Sequence, residues 1–191
     1  MKTVLFATGN AHKIEEANEA AQKYGVRFRQ VKCGHPEIRA DFVDEVAKDS
    51  VLGCYAQIKK PLIVEDTGLF IDSLNGFPGV YSAHIYRLLG NKGILRLLSD
   101  SKDRRATFHC AISYADEKGV KTFLGSVPGT ITTEERGEGG FGYDPIFLPA
   151  GYAKTWGEDR LAKKNLSHRV KAVESLCKWL NQQAPPGRKP Q

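Results

Sequence analysis

The chain of 191 residues suffices for one domain, with two lobes at most. An apolar share of 41 % with 9 % aromatic residues excludes a disordered chain. No run approaches the ~18–20 apolar residues of a membrane span, and the 19 Gly and 9 Pro fall without period, so collagen-like and low-complexity readings fail as well. The net charge of +6 is uneven: residues 1–151 carry 19 Lys/Arg and 19 Asp/Glu, whereas residues 152–191 carry 9 and 3. A basic terminal segment fits nucleic acid, a polyphosphate ligand met by a few cations, or a solvated helix face and tail.

Residues 2–7 read as a buried first strand, with too short an apolar run for a signal-peptide core. Thr8-Gly9-Asn10 is a turn, and residues 11–24 have helical composition with Ile14, Ala17, Ala21 and Tyr24 on one face and Gly25 as terminator. Residues 26–31 are a second strand and 33–42 a loop with Pro36 and Glu37. Residues 43–59 predict a helix with Val46, Val51, Leu52, Tyr55 and Ile58 toward the core. Residues 61–64 are a short buried strand running into Glu65-Asp66-Thr67-Gly68, and 93–98 a short helix. Residues 106–115 and 120–131 form an antiparallel hairpin about the turn 116–119. Residues 137–144 are a glycine-rich loop, and 168–181 a last helix with the stripe Val170, Val173, Leu176, Cys177 and Leu180. The tail, 184–191, has the composition of a disordered segment. This order is that of an α/β fold with a mixed sheet.

The cysteines, Cys33, Cys54, Cys110 and Cys177, have no metal-ligand or C-x-x-C spacing. They are expected as reduced, buried thiols of a cytosolic protein. His12, His35, His84 and His109 also lack ligand spacing and read as structural, and neither Ser82 nor Ser113 sits in a G-x-S-x-G elbow.

Four places carry chemistry. At Thr8-Gly9-Asn10 a strand passes into a helix, whose free N–H groups and dipole favour an anion, with Lys13 one turn in, or else this is a strand-to-helix turn capped by Asn10 with Lys13 on a wet face; the Walker pattern is absent. Glu65 and Asp66 end a buried strand, at the sheet edge where ligands of α/β proteins gather. Two adjacent carboxylates there repel unless a cation intervenes, and oxygen ligands suit Mg²⁺; the alternative is a pair capping a turn with Thr67. Phe141-Gly142-Tyr143-Asp144 combines close backbone approach, aromatic faces for a base and an acceptor for a base N–H, or else is a tight turn with core aromatics. Ser167 would cap the last helix, putting His168 and Arg169 against its dipole, as a site or as a solvated basic turn.

In their order, Thr8-Gly9-Asn10-Ala11-His12-Lys13, Pro36-Glu37, Val64-Glu65-Asp66-Thr67-Gly68-Leu69, Phe77-Pro78-Gly79-Val80-Tyr81-Ser82, Phe141-Gly142-Tyr143-Asp144-Pro145-Ile146-Phe147 and Ser167-His168-Arg169 resemble the inosine triphosphate pyrophosphatase (Ham1-like) family over about residues 2–181. The resemblance implies a single domain over 1–183: an elongated, mixed, twisted sheet with flanking helices and two lobes around a central cleft. It implies a Mg²⁺-dependent, homodimeric, cytoplasmic enzyme. Its substrates would be the non-standard purine nucleotides ITP, dITP and XTP, cleaved to monophosphate and pyrophosphate, with no membrane or stable nucleic-acid partner. Thr8, Gly9, Asn10, Ala11, His12 and Lys13 would hold the triphosphate, Glu37 and Asp66, with Glu65 beside them, the metal, and Asp66 would be the proton acceptor. Thr67 would touch substrate; Phe141, Gly142, Tyr143 and Asp144 would hold the nucleoside; His168 and Arg169 would read the purine. The family's phosphate-binding Lys before Ser-His-Arg falls on Lys163 by count or on Lys164 by its Lys-Asn pairing, with Lys163 preferred. Where many members have a Lys in the second helix this chain has Ser50, with Lys48 two residues away. A pyrophosphatase for other triphosphates, of the septum-inhibitor type, and a nucleic-acid-binding module are the alternatives.

Overall fold

The structure, a computed structural model, describes residues 1–183. The segment expected to be a disordered tail lies outside the described residues.

Strand β1 (Lys2–Ala7) lies parallel to β2 (Val26–Val31) on one side and to β3 (Leu62–Ile71) on the other. Helix α1 (Ala11–Ala21) makes the first crossover and α2 (Val43–Ile58) the second. Because β2 and β3 flank β1, the two crossovers cover opposite faces: Ala17, Ala20 and Ala21 of α1 pack with Val4, Phe6 and Ile63, whereas Val51 and Cys54 of α2 pack with Leu62 and Val64. The strand order therefore reverses at β1, and the crevice beyond the carboxyl ends of β1 and β3 is the switch point where such sheets place ligands.

The rest of the sheet is antiparallel. β5 (Arg105–Asp116) pairs with β3, β6 (Gly119–Ile131) with β5, and β7 (Phe147–Pro149) with β6. β4 (Pro78–Gly79) pairs with the far end of β3. At ~3.4 Å per residue β5 and β6 run for roughly 40 Å and connect two cores. One core gathers Ile112, Phe123 and the stripe of α5 (His168–Gln182); the other gathers Leu69, Ile71, Phe108, Ile131, Phe147 and Trp156. α5 lies so close to β6 that a Cβ on Gly125 would strike the His168 carbonyl.

Local signals read from sequence hold at the caps and in the α5 stripe. Gly25 ends the first helical segment at φ 67°, and the Asn10 and Ser167 side chains accept from the His12 and Val170 amides. All five stripe residues of α5 are buried. Four expectations need correction. β3 does not stop at Val64; β5 pairs with it through Ile71, so the strand continues past Glu65-Asp66. The short helix at 93–98 is the end of α3 (Ser82–Leu97), which is broken at Gly90 (φ 60°, ψ −170°). Leu52 is 48 % exposed, because the α2 stripe facing the sheet passes through Val43, Val46, Ala47, Val51 and Cys54. Cys33 and Cys54 are not reduced thiols: the Cys33 loop folds back onto α2 and the two form a disulfide, whereas Cys110 and Cys177 are free and buried as expected.

Candidate active site

β1 accompanies β3 only as far as Ala7 opposite Val64, and β4 takes over only at Gly79 opposite Leu69. Between them Glu65, Asp66, Thr67 and Gly68 have no strand on that edge, and a cleft of about 540 Å³ opens there. Its ends are the Thr8-Gly9-Asn10 turn with Lys13, and Phe141 to Asp144 with Lys163, His168 and Arg169. A Cβ on Gly68 would collide with the Gly79 carbonyl, so the window closes at its far end only with glycine there.

Successive strand residues face opposite ways. Glu65 and Thr67 therefore face α1 and α5, whereas Asp66 shares the α2 face with Val64. Glu65 is buried, and its carboxylate receives Arg169 Nε and Nη2 at 2.8 and 2.9 Å, the Thr67 hydroxyl at 2.7 Å and Lys13 Nζ at 3.5 Å. Burial pushes its pKa up, but the Arg169 and Lys13 charges outweigh it and hold the carboxyl well below the usual range. Glu65 is thus an ion-pair partner rather than the metal ligand expected from its adjacency to Asp66. Lys13 also donates to the Glu65 carbonyl, at 3.0 Å, which fixes the ammonium at the open edge.

Asp66 has the reverse environment. Its Oδ2 is buried without a hydrogen-bond partner. Burial first, then the Glu37 and Glu65 charges, raise its pKa, Lys13 and the Thr67 amide lower it, and the result is about 6. Glu37 lines the same cleft. Among the described residues no group of three or more His, Cys, Asp and Glu is placed to hold a metal. Two carboxylates with an orphaned oxygen suit Mg²⁺, which keeps waters and takes its remaining ligands from substrate phosphates.

The opposite end is built on a chain of charges, buried except at Glu16. Arg169 also pairs with Glu16 of α1; Glu16 meets Lys163 Nζ at 2.9 Å; Lys163 meets Asp144 at 2.7 Å; and Asp144 accepts the Phe141 amide at 2.8 Å. The Lys163 ammonium lies 4.1 Å from the Phe141 ring centre. Burial lifts the Asp144 pKa despite Lys163. A Cβ on Gly140 would overlap the Asp144 carboxylate. His168 stacks on Phe108 at 4.7 Å, and its Nδ1 is buried without a partner. Burial and the neighbouring cations push its pKa well below 6.5, so the ring is neutral.

The cleft gathers Thr8, Gly9, Asn10, Lys13, Glu37, Glu65, Asp66, Thr67, Phe141, Gly142, Tyr143, Asp144, Lys163, His168 and Arg169. It does not take in Ala11 or His12; His12 instead stacks on Phe141 at 5.2 Å. Lys163 lines the cleft, whereas Lys164 is exposed and pairs with Glu19 at 2.8 Å. Ser50 lines it too. Sequence reasoning missed Glu16, whose one signal was an acid one turn after Lys13. It also missed Ser82, whose hydroxyl accepts from the Leu69 amide at 2.8 Å and donates to the Gly79 carbonyl at 2.7 Å, locking β4 to β3. Of the basic residues near the C-terminus, Lys163 and Arg169 are buried against acids rather than exposed.

Fold and cleft together define an α/β protein with its ligand site at the topological switch of a mixed sheet. The chain belongs to the Ham1 family, whose sequence model matches residues 4–179. It is 43 % identical over 186 residues to a dITP/XTP pyrophosphatase of Hyperthermus butylicus, covering 97 % of this chain and 98 % of that one. It is 44 % identical over 178 residues to the Methanopyrus kandleri protein of the same name, covering 92 % and 95 %. Among solved structures it resembles the Staphylococcus aureus Ham1 protein, with a TM-score of 0.84 at 29 % identity, covering 96 % of this chain and 100 % of that one. The Coxiella burnetii HAM1 protein gives 0.80 at 30 % identity, covering 95 % and 100 %. No helix among the described residues is long and apolar enough to cross a membrane.

Proposed function

We propose that the protein hydrolyses non-standard purine nucleoside triphosphates, ITP, dITP and XTP, to the monophosphate and pyrophosphate. The names of its relatives support this reading. The observation that carries it is Asp66: a carboxylate with an orphaned oxygen and a raised pKa in an open window of β3, facing Glu37, between a helix N-terminus and an aromatic end.

The triphosphate lies along Thr8, Gly9 and Asn10, where the start of α1 offers N–H groups, and Lys13 and Lys163 offset its charge. Glu37 and Asp66 would hold Mg²⁺, which supplies charge neutralisation on the phosphates. Asp66 takes the proton of a water that attacks the α-phosphorus; the bond to the bridging oxygen breaks and pyrophosphate departs. Without a cation the Asp66 pKa is raised to about 6; a bound cation would lower it and leave the carboxylate free to accept a proton near neutrality.

The purine lies by Phe141 and Tyr143. Three of the five Arg169 N–H donors go to Glu65 and Glu16, which leaves two for the C6 carbonyl of hypoxanthine or xanthine. The adenine C6 amine would face those donors unpaired, and such a site discriminates by up to ~10⁴–10⁵. The proposed assembly is a homodimer, supported by the exposed Tyr81, Leu88, Leu89 and Leu97 at and along α3, and the proposed location is the cytoplasm.

The test is product analysis with ITP, XTP, GTP and ATP, with Mg²⁺ and with chelator. The reading requires monophosphate and pyrophosphate from ITP and XTP, abolished by chelator. Orthophosphate release, indifference to the base, or no turnover refutes it.

A further inference from the structure

Glu37 sits in a stretch, 32–40, with no helix or strand of its own. What fixes that stretch is α2. Cys33 is bonded to Cys54, their Cα atoms 5.9 Å apart. Gln57 Nε2 donates to the Gly34 carbonyl at 3.0 Å. His35 Nε2 meets Asp49 Oδ2 at 2.8 Å. The His35 ring rests on Gly53, where any Cβ would overlap it.

Asp49, Gly53 and Gln57 recur every fourth residue and so form one stripe of α2, with Cys54 beside it. Three consecutive loop residues, Cys33, Gly34 and His35, are each tied to that stripe, and Glu37 follows two positions later. Cys33, His35 and Cys54 line the cleft that holds Glu37 and Asp66. A cation such as Mg²⁺ tolerates little error in its ligand geometry, and a loop held in place before binding has less freedom to lose when the ion arrives.

We propose that Cys33, His35, Asp49, Gly53, Cys54 and Gln57 form a positioning clamp for Glu37, and that opening the Cys33–Cys54 bond weakens divalent-cation binding in the cleft. This rests on the reading of Glu37 and Asp66 as the metal site.

The experiment is Mn²⁺ titration followed by electron paramagnetic resonance on the full chain. The samples are the oxidised protein, protein reduced and then freed of reductant under nitrogen, the C33S/C54S variant, and the oxidised His35→Ala variant. Thiol titration of the denatured chain should count two thiols before reduction and four after. The Mn²⁺ dissociation constant should rise about tenfold in the reduced and substituted proteins, the lower end for groups that orient a metal ligand. Far-UV circular dichroism should stay unchanged, and kcat at saturating metal should stay within about twofold, because a loss that acts only through the position of Glu37 is made up once the cation site is filled. Dissociation constants within twofold of the oxidised parent in all three overturn the clamp, and four thiols in the unreduced protein remove the disulfide from it. Glu37→Gln separates the two levels. If it weakens Mn²⁺ binding while the clamp changes do not, the clamp alone fails. If it leaves binding unchanged, the metal-site reading fails and the clamp with it.

Discussion

Replacing Asp66 with Asn should stop turnover and, in the absence of metal, stabilise the protein. Burial and Glu37 lift the Asp66 pKa from 3.8 to about 6. Between those values the folded chain binds more protons than the unfolded chain, so this group's contribution to stability is present below the unfolded pKa and is lost as pH rises through the folded one. At 1.36 kcal/mol per unit, a shift of about two units amounts to ~3 kcal/mol by neutral pH. Asn carries no charge, but its amide must find an acceptor where an oxygen now has no partner, which costs ~1–3 kcal/mol. The side chain is half-buried, and water softens both quantities, leaving a net gain of at most ~2 kcal/mol at neutral pH. Urea unfolding in chelator, at about pH 4 and about pH 7.5, reads it directly. The variant should be no more stable than the parent at the lower pH and more stable by that margin at the higher. Turnover of ITP should fall by ~10²–10⁴, and added Mg²⁺ should stabilise the parent alone. A stability difference that does not change with pH, or a rate near the parent's, refutes the assignment.

Arg169→Ala should cost ~3–5 kcal/mol, because Glu65 is left buried without its partner; in the folded fraction the preference for ITP over ATP should collapse, and an unchanged ratio in a substrate panel removes Arg169 from base recognition. Lys164→Ala breaks only an exposed pair with Glu19 and should change stability by ~0–1 kcal/mol with no effect on ITP turnover, whereas Lys163→Ala should slow it; equal effects from the two would contradict the placement of Lys163 alone in the cleft. Gly68→Ala should cost ~1–3 kcal/mol by driving β4 away from β3, seen as faster hydrogen exchange at the Leu69 amide; retained protection there would mean that the strands adjust.

Much of this fold was legible because it rests on short-range rules. The parallel half announced itself through apolar strands, an Asn10 cap, a Gly25 terminator and the apolar stripe of α5, each a matter of neighbours in sequence. What escaped notice depends on partners far away in the chain. β3 continues through Glu65-Asp66-Thr67, polar residues that look like a strand's end, because β5 supplies a ladder along its whole length. The Cys33–Cys54 pair carries no spacing signal, since only the fold-back of one loop onto α2 brings the two together. Glu16 is one acid among several in the sequence, and only α4 (Arg160–Leu166) and α5 bring Lys163 and Arg169 to it.

The pair Glu65-Asp66 shows how adjacency in sequence misleads when the local structure is unknown. In a loop, two neighbouring carboxylates crowd one another and invite a shared cation. In a strand they are separated by the sheet itself. Glu65 faces two cations on the helical side and is held ionised, whereas Asp66 faces Glu37 on the other and is held partly protonated. The separation is useful because the two tasks need opposite environments. In the proposed function, a group that anchors the arginine assigned to the base must keep its charge at every working pH, and the group assigned to take a proton from water must be able to give its own up and take another. One strand passing through a gap in its sheet supplies both, one residue apart.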